Sequence, residues 1–155
     1  MPMSNRMSRS LLREHAFRIL FEAAFYDPNS LSGQADLYFQ HAADDPEDEG
    51  MTLRQTAFTE ADKECIREKV INAAVHIPQI DEKINAVSKG WPTDRLGTAE
   101  LTILRLGISE MLYDPDIPVG VAIDEAVELA KKYGQSSSPA LVNGIMSKLK
   151  PAQES

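Results

Sequence analysis

Apolar positions recur at steps of three and four along most of the chain. Leu12, Ala16, Ile19 and Ala23 form one such stripe between Met7 and Tyr26, the spacing of one face of an α-helix. Asp27-Pro28-Asn29-Ser30 breaks the pattern. A shorter helical pattern runs from Leu31 to about Ala42. The next stretch, AADDPEDEGM (42–51), is acidic, carries Pro46 and Gly50, and predicts a loop. Thr59 then reads as an N-cap, with Glu60 and Asp62 in the first turn that follows. Ile66, Val70, Ala73 and Ile77 give that helix its buried stripe. Pro78 ends it or starts the next one, which runs through Ile80, Ile84 and Val87 to Gly90. Trp91-Pro92 is a break.

Leu101, Leu104, Ile108, Met111 and Leu112 mark a strong amphipathic helix that Asp114-Pro115-Asp116 stops. Val119 to Tyr133 forms another, with Gly134 at its C′ position. Ser138-Pro139 predicts an N-cap followed by the first helical residue, and Val142, Ile145, Met146 and Leu149 give the last helix its apolar face. No segment sustains period-two alternation with β-branched and aromatic enrichment. The expectation is an all-α fold of about seven helices and no sheet. It is read as one domain over 1–155, with helical halves at 1–90 and 91–150 meeting at Trp91-Pro92.

Composition agrees with a globular chain. Of 155 residues, 43% are hydrophobic and 26% charged, which is against wholesale disorder. No run approaches the length of a membrane-spanning helix and no signal-like leader opens the sequence, so a cytoplasmic protein without membrane association is expected. Cys65 is the only cysteine, which excludes an internal disulfide and a cysteine-based zinc site. His15, His41 and His76 lie far apart with no metal-ligand spacing, so neither metal nor cofactor is expected. Net charge is −8, and it is uneven: residues 1–20 carry +3 and the remainder −11. A basic start on an acidic body changes the picture, because whole-body repulsion would otherwise oppose nucleic acid.

At about 100° per residue, Arg6, Arg9 and Arg13 share a stripe beside the apolar face of the first helix. Guanidinium groups hold phosphates through paired donors and stack on bases. The residues alone leave two readings open, an RNA-contacting patch or a solvated, ion-paired face. In VAIDEAVELAKKYG (121–134), Asp124, Glu125 and Glu128 lie opposite Ile123, Ala126, Ala130 and Tyr133. Glu128 and Lys132 form a favourable i,i+4 pair. With no His or Cys among them, these carboxylates read as a solvated face rather than an acid–base pair. GQSSSP (134–139) has no Walker lysine and no preceding strand; it is either a turn with an N-cap or a set of hydroxyls and amides open to an anion. Asn143-Gly144 inside a helix is costly by propensity, which a tight helix crossing would explain.

The segment from Arg95 to Lys150 contains RLGTAELTILRLGISEMLYDPDIPVGVAIDEAVELAKKYG and then SPALVNGIMSKL. It closely resembles the C-terminal half of the NusB family of bacterial transcription antitermination factors. ILRLGISEML, the turn at Asp116-Ile117-Pro118, VAIDEAVELAKKYG and LVNGI carry the likeness. SRSLLREHAFRILF (8–21) resembles the family's opening, Ser-Arg-Arg-x-x-Arg-Glu before an apolar helix, while 27–90 is similar mainly in helical layout. Trp91 resembles an aromatic often found before the family's Arg-Leu pair. The resemblance implies two small helical subdomains and no catalysis. It also implies binding of single-stranded boxA-like RNA from ribosomal operon leaders, together with the ribosomal protein NusE and within the transcription elongation complex. RNA-binding positions carried over are Arg6, Arg9, Arg13, Ser137, Ser138 and Leu141.

The chain departs from the family pattern at four places. Ser10 stands for the second arginine of the opening pair, Asp124 for the usual Asn, Leu141 for an aromatic before Val-Asn-Gly, and Ser137 for an acidic residue. Loss of the aromatic removes base stacking of about 1–3 kcal/mol per base. Two functions from different classes therefore follow: an RNA-binding antitermination factor, or a helical protein–protein adaptor that binds the basic ribosomal protein with little RNA affinity of its own. The RNA-binding domain of an RNA methyltransferase uses the same fold and is disfavoured, since only Pro151–Ser155 follow the last helix.

Overall fold

The structure is a computed structural model that describes residues 7–23, 31–44, 58–88 and 96–151, with backbone alone at 31–32 and 41–44. Among these residues there are seven helices and no strand: α1 (Arg9–Ala23), α2 (Leu31–Asp44), α3 (Glu60–Val75), α4 (Ile77–Val87), α5 (Thr98–Tyr113), α6 (Val119–Tyr133) and α7 (Ser138–Leu149). The all-α expectation holds. The loop expected at 42–51 lies outside the described residues except where α2 runs on to Asp44, and Trp91-Pro92 lies outside them too.

The chain forms two compact units, residues 1–71 and 72–155. The division falls inside α3 rather than at Trp91-Pro92. Nothing in the local sequence signals it, because Glu60–Val75 holds neither Pro nor Gly and its apolar stripe runs through uninterrupted.

In the first unit, α1 is buried around most of its circumference: Leu12, Ala16, Phe17, Ile19, Leu20 and Ala23 are all inside. Ala35, Tyr38 and Phe39 of α2 and Ile66 and Val70 of α3 are buried as well, in a core rich in rings. Phe58 lies between His15 (centroids 4.8 Å apart) and Phe39 (5.0 Å), and both pairs are edge-on, the arrangement that ring quadrupoles favour. Thr59 caps α3 as expected: its hydroxyl accepts from the Asp62 amide at 3.0 Å while the Asp62 carboxylate accepts from the Thr59 amide at 3.0 Å. This reciprocal box satisfies two otherwise orphaned donors. Arg67 joins α3 to α2 through Asp36 (2.9 Å) and lies over the Phe39 ring.

The second unit is built on α5, which packs against α4, α6 and α7. The expected single stripe undercounts this helix. Thr102, Ile103, Leu104, Leu106, Gly107, Ile108, Ser109, Glu110 and Met111 are all buried, while Leu101 and Leu112 are half-buried. Two of its hydroxyls turn back onto their own helix, Thr102 to the Thr98 carbonyl and Ser109 to the Leu106 carbonyl, each at 2.7 Å, so neither is left unsatisfied in the core. Arg105 forks onto Asp81 of α4 with bonds of 2.9 and 2.6 Å, a bidentate pairing that fixes orientation as well as contributing energy.

Three glycine and serine expectations change. The tight crossing is at Gly107, where an added Cβ would lie 3.0 Å from Ala126 Cβ and 3.0 Å from Met146 Cε; at Gly144 a Cβ would meet nothing within 4 Å. Gly134 does follow α6, but with φ −101° and ψ −159°, extended backbone rather than a left-handed cap. The last helix begins one residue early, so Ser137 takes the N-cap position, without a side-chain cap bond, and Ser138 is inside the helix. On α6 the buried face is Ala122, Ala126, Leu129 and Ala130, with Ile123 and Tyr133 half-buried.

Candidate nucleic-acid interface

The arginine helix starts at Ser8. Its hydroxyl accepts from the Leu11 amide at 3.1 Å and its carbonyl from the Leu12 amide at 3.0 Å, so Ser8 is the N-cap of α1 and Arg9 the first helical residue. Sequence reading passed over this serine, although a Ser three residues before a leucine-rich run is itself an N-terminus signal. Arg9 is exposed. Arg13, one turn on and expected on the same open margin, is instead buried at 2% exposure. The 40° between them suffices because Arg13 falls among the buried positions Leu12, His15, Ala16 and Phe17 of α1, whereas Arg9 precedes them. Arg6 lies outside the described residues. Ser10 is exposed and Arg18 half-buried.

The second group of expected contacts is at the start of α7. Ser136 and Ser137 are exposed and Leu141 is half-buried, but Ser138 is buried at 1% exposure. Its hydroxyl accepts from the Gln135 amide at 2.8 Å and donates to the Glu100 carboxylate of α5. The Ser138 hydroxyl is thus engaged from within and offers almost no surface to a ligand in this arrangement. The structure brings Ser137, Ser138 and Leu141 together within one helical turn of the second unit, and Arg9 and Arg13 together in the first.

Elsewhere the carboxylates behave as a solvated face. Asp124 and Glu128 are exposed, and Glu128 pairs with Lys131 at 3.1 Å; Lys132 lies over the Tyr133 ring. Exposed Asp36, Glu60, Glu64, Glu68 and Glu82 continue the acidic surface. Among the described residues no group of three or more His, Cys, Asp or Glu is placed to hold a metal ion, and no helix is long and apolar enough to cross a membrane.

One buried group in the first unit titrates abnormally. His15 Nδ1 shares a hydrogen bond with the Tyr38 hydroxyl at 2.6 Å, while its Nε2 is buried without a partner. Desolvation first and the Arg18 charge second lower its pKa from 6.5 to about 4, against the opposing pull of Glu14 and Asp62. The imidazole is neutral near neutral pH. It is a core residue of the arginine helix rather than part of its exposed margin.

The chain is similar to known proteins along nearly its whole length. The model of the NusB family matches residues 10–151. A transcription antitermination protein NusB from Lachnoclostridium phytofermentans is 38% identical over 143 residues, covering 92% of this chain and 98% of the relative. One from Agathobacter rectalis is 37% identical over 142 residues, with the same coverage. Among solved structures, NusB of T. maritima superposes with a TM-score of 0.73 at 26% identity, covering 93% of this chain and 91% of that one. A crystal structure of antitermination factors NusB and NusE in complex with dsRNA superposes with a TM-score of 0.69 at 25% identity, covering 94% and 97%. The family match spans residues of both units, and the chain belongs to the NusB family.

Proposed function

We propose that this protein is a cytoplasmic transcription antitermination factor that binds boxA-like single-stranded RNA together with the ribosomal protein NusE, within the transcription elongation complex. It acts by binding rather than by catalysis. Family membership over residues 10–151 carries the reading. The NusB relative solved with NusE and dsRNA supports the choice of partners. Arg9, exposed at the capped start of α1, supplies a phosphate contact, with Arg6 just upstream; Ser137 and Leu141 supply contacts at the start of α7. The acidic remainder of the chain attracts a basic ribosomal protein and speeds encounter, an effect screened beyond about 8–10 Å near physiological salt.

The test is a titration of labelled boxA-like RNA with and without cognate NusE. With only Arg9 of the described pair exposed, Arg9→Ala lowers the slope of log affinity against log salt by about one; an unchanged slope sinks the arginine assignment. Leu141→Phe restores a stacking surface and tightens RNA binding with helicity unchanged, by up to about 1–3 kcal/mol. If NusE raises RNA affinity, RNA raises NusE affinity by the same factor. A second reading, an adaptor that binds NusE but barely binds RNA alone, draws support from the burial of Arg13 and Ser138. RNA binding seen only in the presence of NusE selects it.

A further inference from the structure

We infer that Glu100, a residue with no place among the RNA contacts above, is a positioning residue for RNA binding through its hold on the turn before α7. The inference rests on the proposed RNA function. Gln135 to Ser138 is closed by two reciprocal bonds: the Ser138 hydroxyl accepts from the Gln135 amide at 2.8 Å, and the Gln135 carbonyl accepts from the Ser138 amide at 3.0 Å. The proton of that hydroxyl goes to Glu100 Oε2, 38 positions upstream in the first turn of α5. A surface turn is thereby anchored to the helix at the centre of the unit.

Two glycines show how closely the pair is built in. A Cβ at Gly97 would collide with Glu100 Oε1, and a Cβ at Gly134 would lie 2.6 Å from Ser138 Cβ and Oγ and 2.9 Å from the Ala130 carbonyl oxygen. Gly97 has φ −66° and Gly134 φ −101°, conformations open to any residue. Backbone strain therefore does not call for glycine at either position; the space taken by the Glu100 carboxylate does at 97, and that taken by Ser138 and the Ala130 carbonyl does at 134. What the pair fixes is the path of exposed Ser136 and Ser137 and, one turn on, the placement of Leu141. A turn held in one path before RNA arrives loses less freedom on binding. Glu100 itself would repel a phosphate, so its contribution passes through Ser138.

The experiment measures affinity for a labelled boxA-like RNA, with amide exchange at Gln135 and Ser138 followed in the free protein. Glu100→Ala is expected to speed exchange at both amides and weaken RNA binding about three- to tenfold, the scale of one lost hydrogen bond. Glu100→Gln keeps an acceptor for Ser138 and removes a negative charge, so it binds at least as tightly as the wild type. Adding Ser138→Ala to Glu100→Ala also removes the acceptor of the Gln135 amide, and the double variant is expected to lose less than the sum of the two single losses, because the Ser138–Glu100 bond is counted in both. Should Glu100→Ala fail to fold, Gly97→Ala displaces the carboxylate instead and is expected to show the same loss. Equal losses in the Gln and Ala variants, or Glu100→Ala binding as wild type while Arg9→Ala weakens binding, overturn this inference alone. A wild-type protein that binds no RNA, with or without NusE, overturns the function and the inference with it.

Discussion

The two units solve the same packing problem with different materials. Residues 1–71 close their core with rings and buried polar groups: His15 bonded to Tyr38, Phe58 edge-on between His15 and Phe39, Arg13 and Asp62 inside. Residues 72–155 close theirs mainly with aliphatic side chains and with small residues at a close helix crossing, where Gly107 meets Ala126 and Met146, although Glu110 and the hydroxyls of Thr102, Ser109 and Ser138 are also inside. The first core holds a histidine that burial keeps neutral, so it responds to acid. The second is governed at its crossing by volume, since close-packed interiors accept neither gaps nor extra methyls cheaply.

Acid is the strongest way to separate them. The folded chain protonates His15 only near pH 4, whereas an unfolded one does so near 6.5. Between those values the unfolded state binds more protons, so stability falls as pH drops from about 6.5 towards 4. It changes no further through this group below 4 or above 6.5. If the whole depression is realised, the loss approaches roughly 3 kcal/mol. Amide exchange is expected to quicken in residues 7–71 before 72–151 as pH falls through 5, and His15→Phe is expected to flatten that dependence. Uniform acid loss across both units would break the contrast.

Gly107→Ala probes the other core. Helix propensity alone favours alanine by about 1 kcal/mol, but the added methyl would sit 3.0 Å from Ala126 Cβ. A net destabilisation of about 1–3 kcal/mol is expected in urea unfolding, with little change in the acid profile of the first unit. A stabilised variant would show that the crossing can relax. Gly144→Ala, at an exposed helical position with open space around it, is the control and the smallest effect: a gain of about 0.5–1 kcal/mol, from propensity and reduced unfolded-state freedom.

How much of this was legible in the sequence differs between the two cores for a physical reason. Helical period and breaker residues place all seven helices, because an amphipathic stripe and a Pro or Gly stop are local properties. Thr59 was readable as a cap for the same reason. The burial of Arg13 was not, because period gives an angle around α1 and says nothing of how far round the neighbouring elements reach. Gly107 and Gly144 look alike in sequence, each an isolated glycine in a helix; only the tertiary contacts tell the packing glycine from the idle one. In the candidate site, Arg9, Ser137 and Leu141 are accessible or partly so, whereas Ser138 is spent on a bond to a residue 38 positions away. Arg105 was visible within ILRLG, but its bidentate hold on Asp81 depends on where α4 lies.

The clearances at Gly97 and Gly134 also predict a pattern of covariation. The two constraints differ in kind. At position 97 the obstacle is the far end of the Glu100 side chain, so a lineage that shortened Glu100 would release that position to drift. At position 134 the obstacles include the Ser138 Cβ, which every residue but glycine carries, and the Ala130 carbonyl oxygen, so replacing Ser138 would leave the glycine in place. Across a deep set of relatives, positions 97 and 100 are expected to change together while 134 stays glycine, a coupled inheritance confined to the start of one helix.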